Sequence, residues 1–97
     1  MSADVERKYE VRLRSRRVQK ELDDLRGIEY ERVIARLRAL AFDPRPRGCE
    51  KIFGDIYRIR VGDIRIIYCI GESDRRVDVG AVRRRSEKTY KDIDDLF

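Results

Sequence analysis

The stretch Tyr57-Arg58-Ile59-Arg60-Val61-Gly62-Asp63-Ile64-Arg65-Ile66-Ile67-Tyr68 decides the fold. It reads as two β-strands joined by a two-residue turn, because apolar residues alternate on either side of Gly62-Asp63 and glycine supplies the positive φ of a tight hairpin. With Gly62 and Asp63 as the loop, Val61 stands opposite Ile64, Arg60 opposite Arg65, Ile59 opposite Ile66, Arg58 opposite Ile67 and Tyr57 opposite Tyr68. Side chains alternate across the pleat. Tyr57, Ile59, Val61, Ile64, Ile66 and Tyr68 therefore share an apolar face, and Arg58, Arg60 and Arg65 share the other. Like charges directly opposed destabilise a sheet by an amount comparable to the ~0.2–1 kcal/mol of a good cross-strand pair, so placing Arg60 against Arg65 works against stability. Two readings account for it. One is a solvated basic face with Ile67 lying among arginine stems. The other, which explains why the repulsion is kept, is an anion-binding surface on a rigid sheet, suited to a phosphate backbone.

Upstream of the hairpin, Tyr9-Glu10-Val11-Arg12-Leu13 alternates apolar and charged residues, the pattern of a half-buried strand. Val18, Leu22 and Leu25 then recur at helical spacing, with Ser15 placed to cap that helix and Gly27 to end it. Tyr30, Val33, Ile34, Leu37, Leu40 and Ala41 form the stripe of a second helix, and the short connection makes an αα-hairpin. Its charged residues, Arg32, Arg36 and Arg38 among them, read as a solvated face. Asp43-Pro44-Arg45-Pro46-Arg47-Gly48 breaks the helix, since proline lacks the backbone donor and pushes its predecessor out of α space; this basic loop reads as a connector in preference to the flank of a groove. Lys51-Ile52-Phe53 restarts the sheet, with Gly54-Asp55 as a turn or bulge. Gly71-Glu72-Ser73-Asp74 is a further turn cluster. Arg76 to Val82 forms the last strand, with Val77 and Val79 on the core face, and Arg83-Arg84-Arg85 follows at once. Ser86 can cap a short helix over Glu87–Leu96. The order β-α-α-β-β-β(-α) predicts one α+β domain over residues 1–97: a small, mostly antiparallel sheet with the helical hairpin on one face and the arginine face open to solvent.

Composition narrows the chemistry. Of 97 residues, 44% are charged and the net charge is +5, which points to a polyanion or an acidic protein as partner. There is no histidine, so the commonest general base near neutral pH is missing and carboxylate, tyrosine, lysine or electrostatic chemistry is left. Cys49 and Cys69 have no metal-ligand spacing, and we expect two free thiols, with Cys69 on the arginine face, and neither metal nor cofactor. Met1-Ser2-Ala3-Asp4 has no apolar run behind it and no stretch approaches a membrane span, so a cytoplasmic location is expected.

An arginine cluster on a sheet can bind nucleic acid passively, or it can stabilise the added negative charge of a phosphate under attack. With RNA the substrate's own 2′-OH is the nucleophile, leaving the protein to orient it, balance charge and move protons. Tyr90 carries an aromatic hydroxyl that can reach back to such a site, and packing against the sheet accounts for it equally well. Arg83 to Arg85 read either as a solvated strand end or as an extension of the site.

Lys51-Ile52-Phe53-Gly54 and the hairpin motif of residues 57–68, in this order of elements, resemble the RelE/ParE family of toxins from toxin–antitoxin systems. The match is specific over residues 51–68 and compatible over about residues 9–91. The resemblance implies a small RelE-like toxin neutralised by a cognate antitoxin that wraps around it, in a toxin–antitoxin hetero-oligomer. RelE-like members cleave mRNA in the ribosomal decoding site; ParE-like members inhibit DNA gyrase. Carried over, the catalytic positions of the RelE-like branch fall on Arg58, Arg60, Arg65 and Tyr90, with the late arginine at Arg85 when aligned from Val82, or at Arg84 when aligned back from the tyrosine. Lys51, Arg58, Arg60, Arg65, Arg83, Arg84 and Arg85 are the implied nucleic-acid contacts. The late arginine and the tyrosine favour a ribosome-dependent mRNA endonuclease over a gyrase inhibitor. One departure stands out: the RelE-like pattern carries lysines where Arg58 and Arg60 stand, and arginine cannot give up a proton to act as a base. The alternatives are a ParE-like gyrase inhibitor and a catalytically weak module that binds an antitoxin.

Overall fold

The computed structural model describes residues 8–84 and Phe97; the helix expected over Glu87–Leu96, together with Arg85 and Tyr90, lies outside the described residues. The chain runs β1 (Glu10–Leu13), α1 (Arg16–Asp23), α2 (Gly27–Leu40), β2 (Glu50–Phe53), β3 (Ile56–Val61), β4 (Ile64–Gly71) and β5 (Arg76–Arg84). The strands form one sheet in the order β1-β5-β4-β3-β2, with β1 parallel to β5 and every other pair antiparallel. This is the expected α+β architecture. The β3–β4 hairpin has the register read from its turn, from Tyr57 opposite Tyr68 to Val61 opposite Ile64, and Gly62 takes the positive φ of 60°.

Four strands follow the helices, one more than the three expected. Gly54, at φ 52°, turns the chain through a complete hairpin, so residues 50–53 become a separate edge strand paired to β3. The helical hairpin also differs in detail. Ser15 is the N-cap of α1 but makes no side-chain capping bond; its carbonyl accepts the Gln19 N–H at 3.2 Å. Gly27 does not cap α1, which ends at Asp23; with φ 57° it is the joint on which α2 starts. On α2 the buried residues are Val33, Leu37 and Leu40, whereas Tyr30 is 38% exposed and Ile34 only half buried. At 3.6 residues per turn these two lie roughly 60–100° round from Val33, on a flank of the helix and not beneath it.

The main core fills the space between the helices and one sheet face: Val18, Leu22, Val33 and Leu37 meet Ile59, Ile64, Ile66 and Tyr68. A second, smaller cluster corrects the expectation of an open arginine face. There Ile67 and Ala81 are fully buried, with Ile52, Ile56 and Phe97 packed around them. Gly80 admits this arrangement, because a Cβ on it would come within 2.5 Å of the Phe97 ring.

One strand edge is completed by side chains. The register of β1 on β5 ends at Leu13 opposite Val79, and among the described residues no strand pairs with the rest of β5 on that side. There α1 runs alongside: Arg17 donates to the Gly80 carbonyl at 2.9 Å, and the Glu21 carboxylate accepts the Val82 N–H at 3.0 Å. The ladder's orphan groups are thus satisfied from a helix, as buried backbone groups must be.

Candidate nucleic-acid interface

The interface begins with an irregularity in β5. Ile67 pairs with Ala81 and Tyr68 with Val79, so Gly80 is an extra residue, a β-bulge. A bulge reverses the alternation. Upstream of it Val77 and Val79 face the helices; downstream Val82 does so, and Ala81 and Arg83 turn to the opposite face. Arg83 thereby stands across from Arg65, which stands across from Arg60. The result is a row of three arginines over three adjacent strands, with Arg58 one step along β3 opposite buried Ile67. An isolated glycine inside a strand pattern is the sequence signal for such a bulge, and it was the signal needed to bring Arg83 into the row.

The members differ in their surroundings. Arg65 is buried, with 8% of its surface exposed. Arg58 is nearly as enclosed and forms an ion pair with Glu50, its register partner on β2. Arg83 donates through Nε to Glu21 at 2.7 Å, and the same carboxylate takes Arg17 at 3.1 Å. Arg60 is exposed. Arg84 turns to the helix side and forks onto Glu29 at 2.9 and 2.7 Å, contacts that raise its pKa further. Lys51 is paired with Tyr57 in register, across the pleat from Arg58, although it borders a small cleft with Glu50, Ile52 and Arg58. The structure therefore gathers Arg58, Arg60, Arg65 and Arg83 on one face and sets Arg84 and Lys51 apart from them. The Cα atoms of the row stand ~4.5–5.5 Å apart on neighbouring strands, and guanidinium forks suit the planar, bidentate recognition of phosphate. The carboxylates of Glu21, Glu29 and Glu50 were not legible as partners, because each lies far along the chain, or across a strand pair, from the arginine it meets.

At the other end of the sheet, polar side chains lock the proline loop. Tyr68 donates to the Pro44 carbonyl at 2.7 Å in a buried bond, and burial raises its hydroxyl pKa, with Cys49 nearby adding to the effect. Arg45 donates to Tyr57 at 3.1 Å, lies over the Tyr57 ring and pairs with Glu72 at 2.6 Å. Tyr9 donates to the same Glu72 at 2.7 Å. Arg45 is thus used inside the molecule, in keeping with a connector. Cys49 and Cys69 are free and half buried. Cys69, opposite Ile56, stands on the arginine face, and burial is the first cause of its raised thiol pKa. Among the described residues no group of acidic or cysteine side chains is arranged to hold a metal ion, and no helix is long and apolar enough to cross a membrane.

A five-stranded sheet with an αα-hairpin on one face and an arginine row on the other defines the class: a small basic α+β domain with its arginines gathered on one face of the sheet. Residues 13–89 match the family model described as ParE toxin of type II toxin–antitoxin system, parDE. Solved structures agree. RelE of the archaeal RelE–RelB complex from Pyrococcus horikoshii is 28% identical, with a TM-score of 0.71 over 82% of this chain and 98% of that one. The isolated RelE toxin of E. coli is 21% identical, with a TM-score of 0.70 over 92% of this chain and 99% of that one. No curated protein matches the sequence. The chain belongs to the RelE/ParE family of type II toxin–antitoxin toxins.

Proposed function

We propose that the protein is a ribosome-dependent mRNA endonuclease of the RelE-like branch, neutralised by a cognate antitoxin. The observation that carries this reading is the gathering of Arg58, Arg60, Arg65 and Arg83 on one sheet face. In this mechanism a 2′-OH of the bound mRNA attacks the adjacent phosphorus, the P–O5′ bond breaks, and the products are a 2′,3′-cyclic phosphate, which can open to a 3′-phosphate, and a 5′-OH. Arg58, Arg60 and Arg65 grip the scissile phosphate and stabilise its added charge. None of them can accept the 2′-OH proton; this reading assigns Tyr90 to orient and activate that hydroxyl, with cleavage assisted mainly by geometry and charge as the alternative. The engagement of Arg84 by Glu29 supports Arg85 as the late arginine.

RelE proteins of P. horikoshii and E. coli have been crystallised with RelB, which supports an antitoxin partner for this chain. An apolar groove of about 490 Å³, lined by Val11, Leu13, Leu22, Ile34, Leu37 and Phe42, suits the apolar face of an antitoxin segment.

The test is a translation reaction on one defined mRNA, with new 5′ ends mapped by primer extension. We expect cuts inside codons that vanish when ribosomes are omitted, and a loss of about 10²-fold or more in rate for a folded Arg65→Ala variant, the scale of removing a transition-state charge stabiliser. Intact mRNA overturns the reading. Membership in a family described as ParE toxins favours gyrase inhibition as the second reading; it predicts DNA damage without mRNA cuts and survival of toxicity in Tyr90→Phe.

A further inference from the structure

Arg60 has a second setting besides the sheet row. The pairing of β2 on β3 ends at Arg58, so among the described residues no strand pairs with the edge of β3 at Arg60, and the flank of α2 comes down beside it. Arg32 and Arg36, one helical turn apart, meet Arg60 there around a concavity of about 340 Å³ completed by Ala35 and Val61. That volume is at the lower end of ligand sites, which run ~300–1,000 Å³. What these three arginines share is one concavity and, among the described residues, no counter-charge in it. Arg17, Arg45, Arg58, Arg83 and Arg84 each hold a carboxylate. Among the described residues no carboxylate lines this concavity, and the side chains of Arg32, Arg36 and Arg60 make no ion pair or hydrogen bond there. Three long cations in solvent minimise repulsion by spreading apart, and a common concavity is where they can instead close on one anion.

We propose that Arg32, Arg36 and Arg60 form a phosphate-binding site that holds the backbone of a single-stranded nucleic acid as it passes round the edge of β3 from the sheet face. Arg60 belongs to both settings and makes them continuous. The apolar contribution here is Ala35 and Val61, too little to anchor a peptide, whereas an amphipathic peptide finds its apolar anchors in the groove on the other flank of α2. Guanidinium forks without carboxylates fit phosphodiesters. The proposal rests on the reading above only for the identity of the strand as mRNA.

The experiment is fluorescence anisotropy of a labelled uridine 12-mer with the full chain, over a series of salt concentrations. Arg32→Gln/Arg36→Gln, which alters neither Arg58 nor Arg65, is expected to weaken binding about tenfold and to lower the slope of log K against log salt by ~1.4, at ~0.7 per phosphate contact on a single strand. Arg32→Lys/Arg36→Lys is expected to keep the slope. Unchanged affinity and slope in a Gln variant that unfolds at the wild-type temperature overturns the proposal. So does intact 12-mer binding combined with lost binding of a poly-glutamate peptide, which would assign the site to an acidic protein. If the Gln variant fails to fold, NMR of the wild-type arginine Nε–H groups decides: Arg32, Arg36 and Arg60 must shift when the 12-mer is added, and static signals refute the site. Wild-type protein that binds the 12-mer with this salt slope but cuts no mRNA on ribosomes refutes the nuclease reading and leaves the site standing.

Discussion

Several of the described arginines are set by the carboxylate each one meets. Glu50 neutralises Arg58 at the rim of the sheet face, so it competes with any phosphate for that guanidinium. Glu50→Gln is expected to tighten uridine 12-mer binding several-fold and to steepen its salt dependence by ~0.7, one more phosphate contact; anisotropy at matched salt checks it. Tyr68 is apolar in the register but ends in a hydroxyl on the buried Pro44 carbonyl. Tyr68→Phe strands that acceptor and should cost about 1–3 kcal/mol, read by urea unfolding, with faster proteolysis in residues 43–48. Glu72 carries a pH dependence. The Tyr9 hydroxyl first, and Arg45 after it, holds the Glu72 carboxyl below its ordinary range. A carboxyl depressed in the folded state contributes stability that is complete above its unfolded pKa, ~4.3, and is lost as pH falls through the folded value. The Tyr9–Glu72–Arg45 clamp should therefore open in acid, below the ordinary carboxylate range, seen as loss of the signal of the Arg45 Nη–H that meets Glu72, and Glu72→Gln should show no such step.

Among elements, β5 shows how a local irregularity places functional groups. The extra residue at Gly80 turns Arg83 to the side of Arg65, and the same glycine gives room to Phe97. In Gly80→Ala the new methyl meets the far end of a side chain, so the ring is the part that yields. We expect Phe97 to leave Ala81 and Ile67, with loss of ring-to-methyl NOEs and a cost of about 1–3 kcal/mol for the apolar contact given up. The pairing of α1 with the open stretch of β5 is a second device of this kind. Glu21 serves the Val82 N–H, Arg83 and Arg17 together, so one carboxylate both completes a strand edge and discharges the end of the arginine row.

At the scale of the molecule, the sheet separates two surfaces of different chemistry. One side carries the helices and an apolar groove; the other carries the arginine row, which turns round the edge of β3 to Arg32 and Arg36. The β3–β4 hairpin was legible from Val61–Ile64 to Tyr57–Tyr68, because a Gly-Asp turn and a period of two leave a single register that buries Ile59, Ile64 and Ile66. The two helices, the face shared by Arg58, Arg60 and Arg65, and the family resemblance were legible for the same reason: each is written in residues a few positions apart. The independence of β2 and the reversal at Gly80 left only weak local marks. The sheathing of Ile67 by Ile52 and Phe97, the capture of Arg83 and Arg84 by helix carboxylates, and the meeting of Arg32 with Arg60 left none. Turn chemistry and side-chain alternation act between neighbours along the chain, so the sequence by itself determined the hairpin and the arginines it displays. Which of those arginines are neutralised and which remain open to an anion was decided only by tertiary packing, because ion pairing depends on side chains brought within a few ångströms across elements that the chain holds far apart.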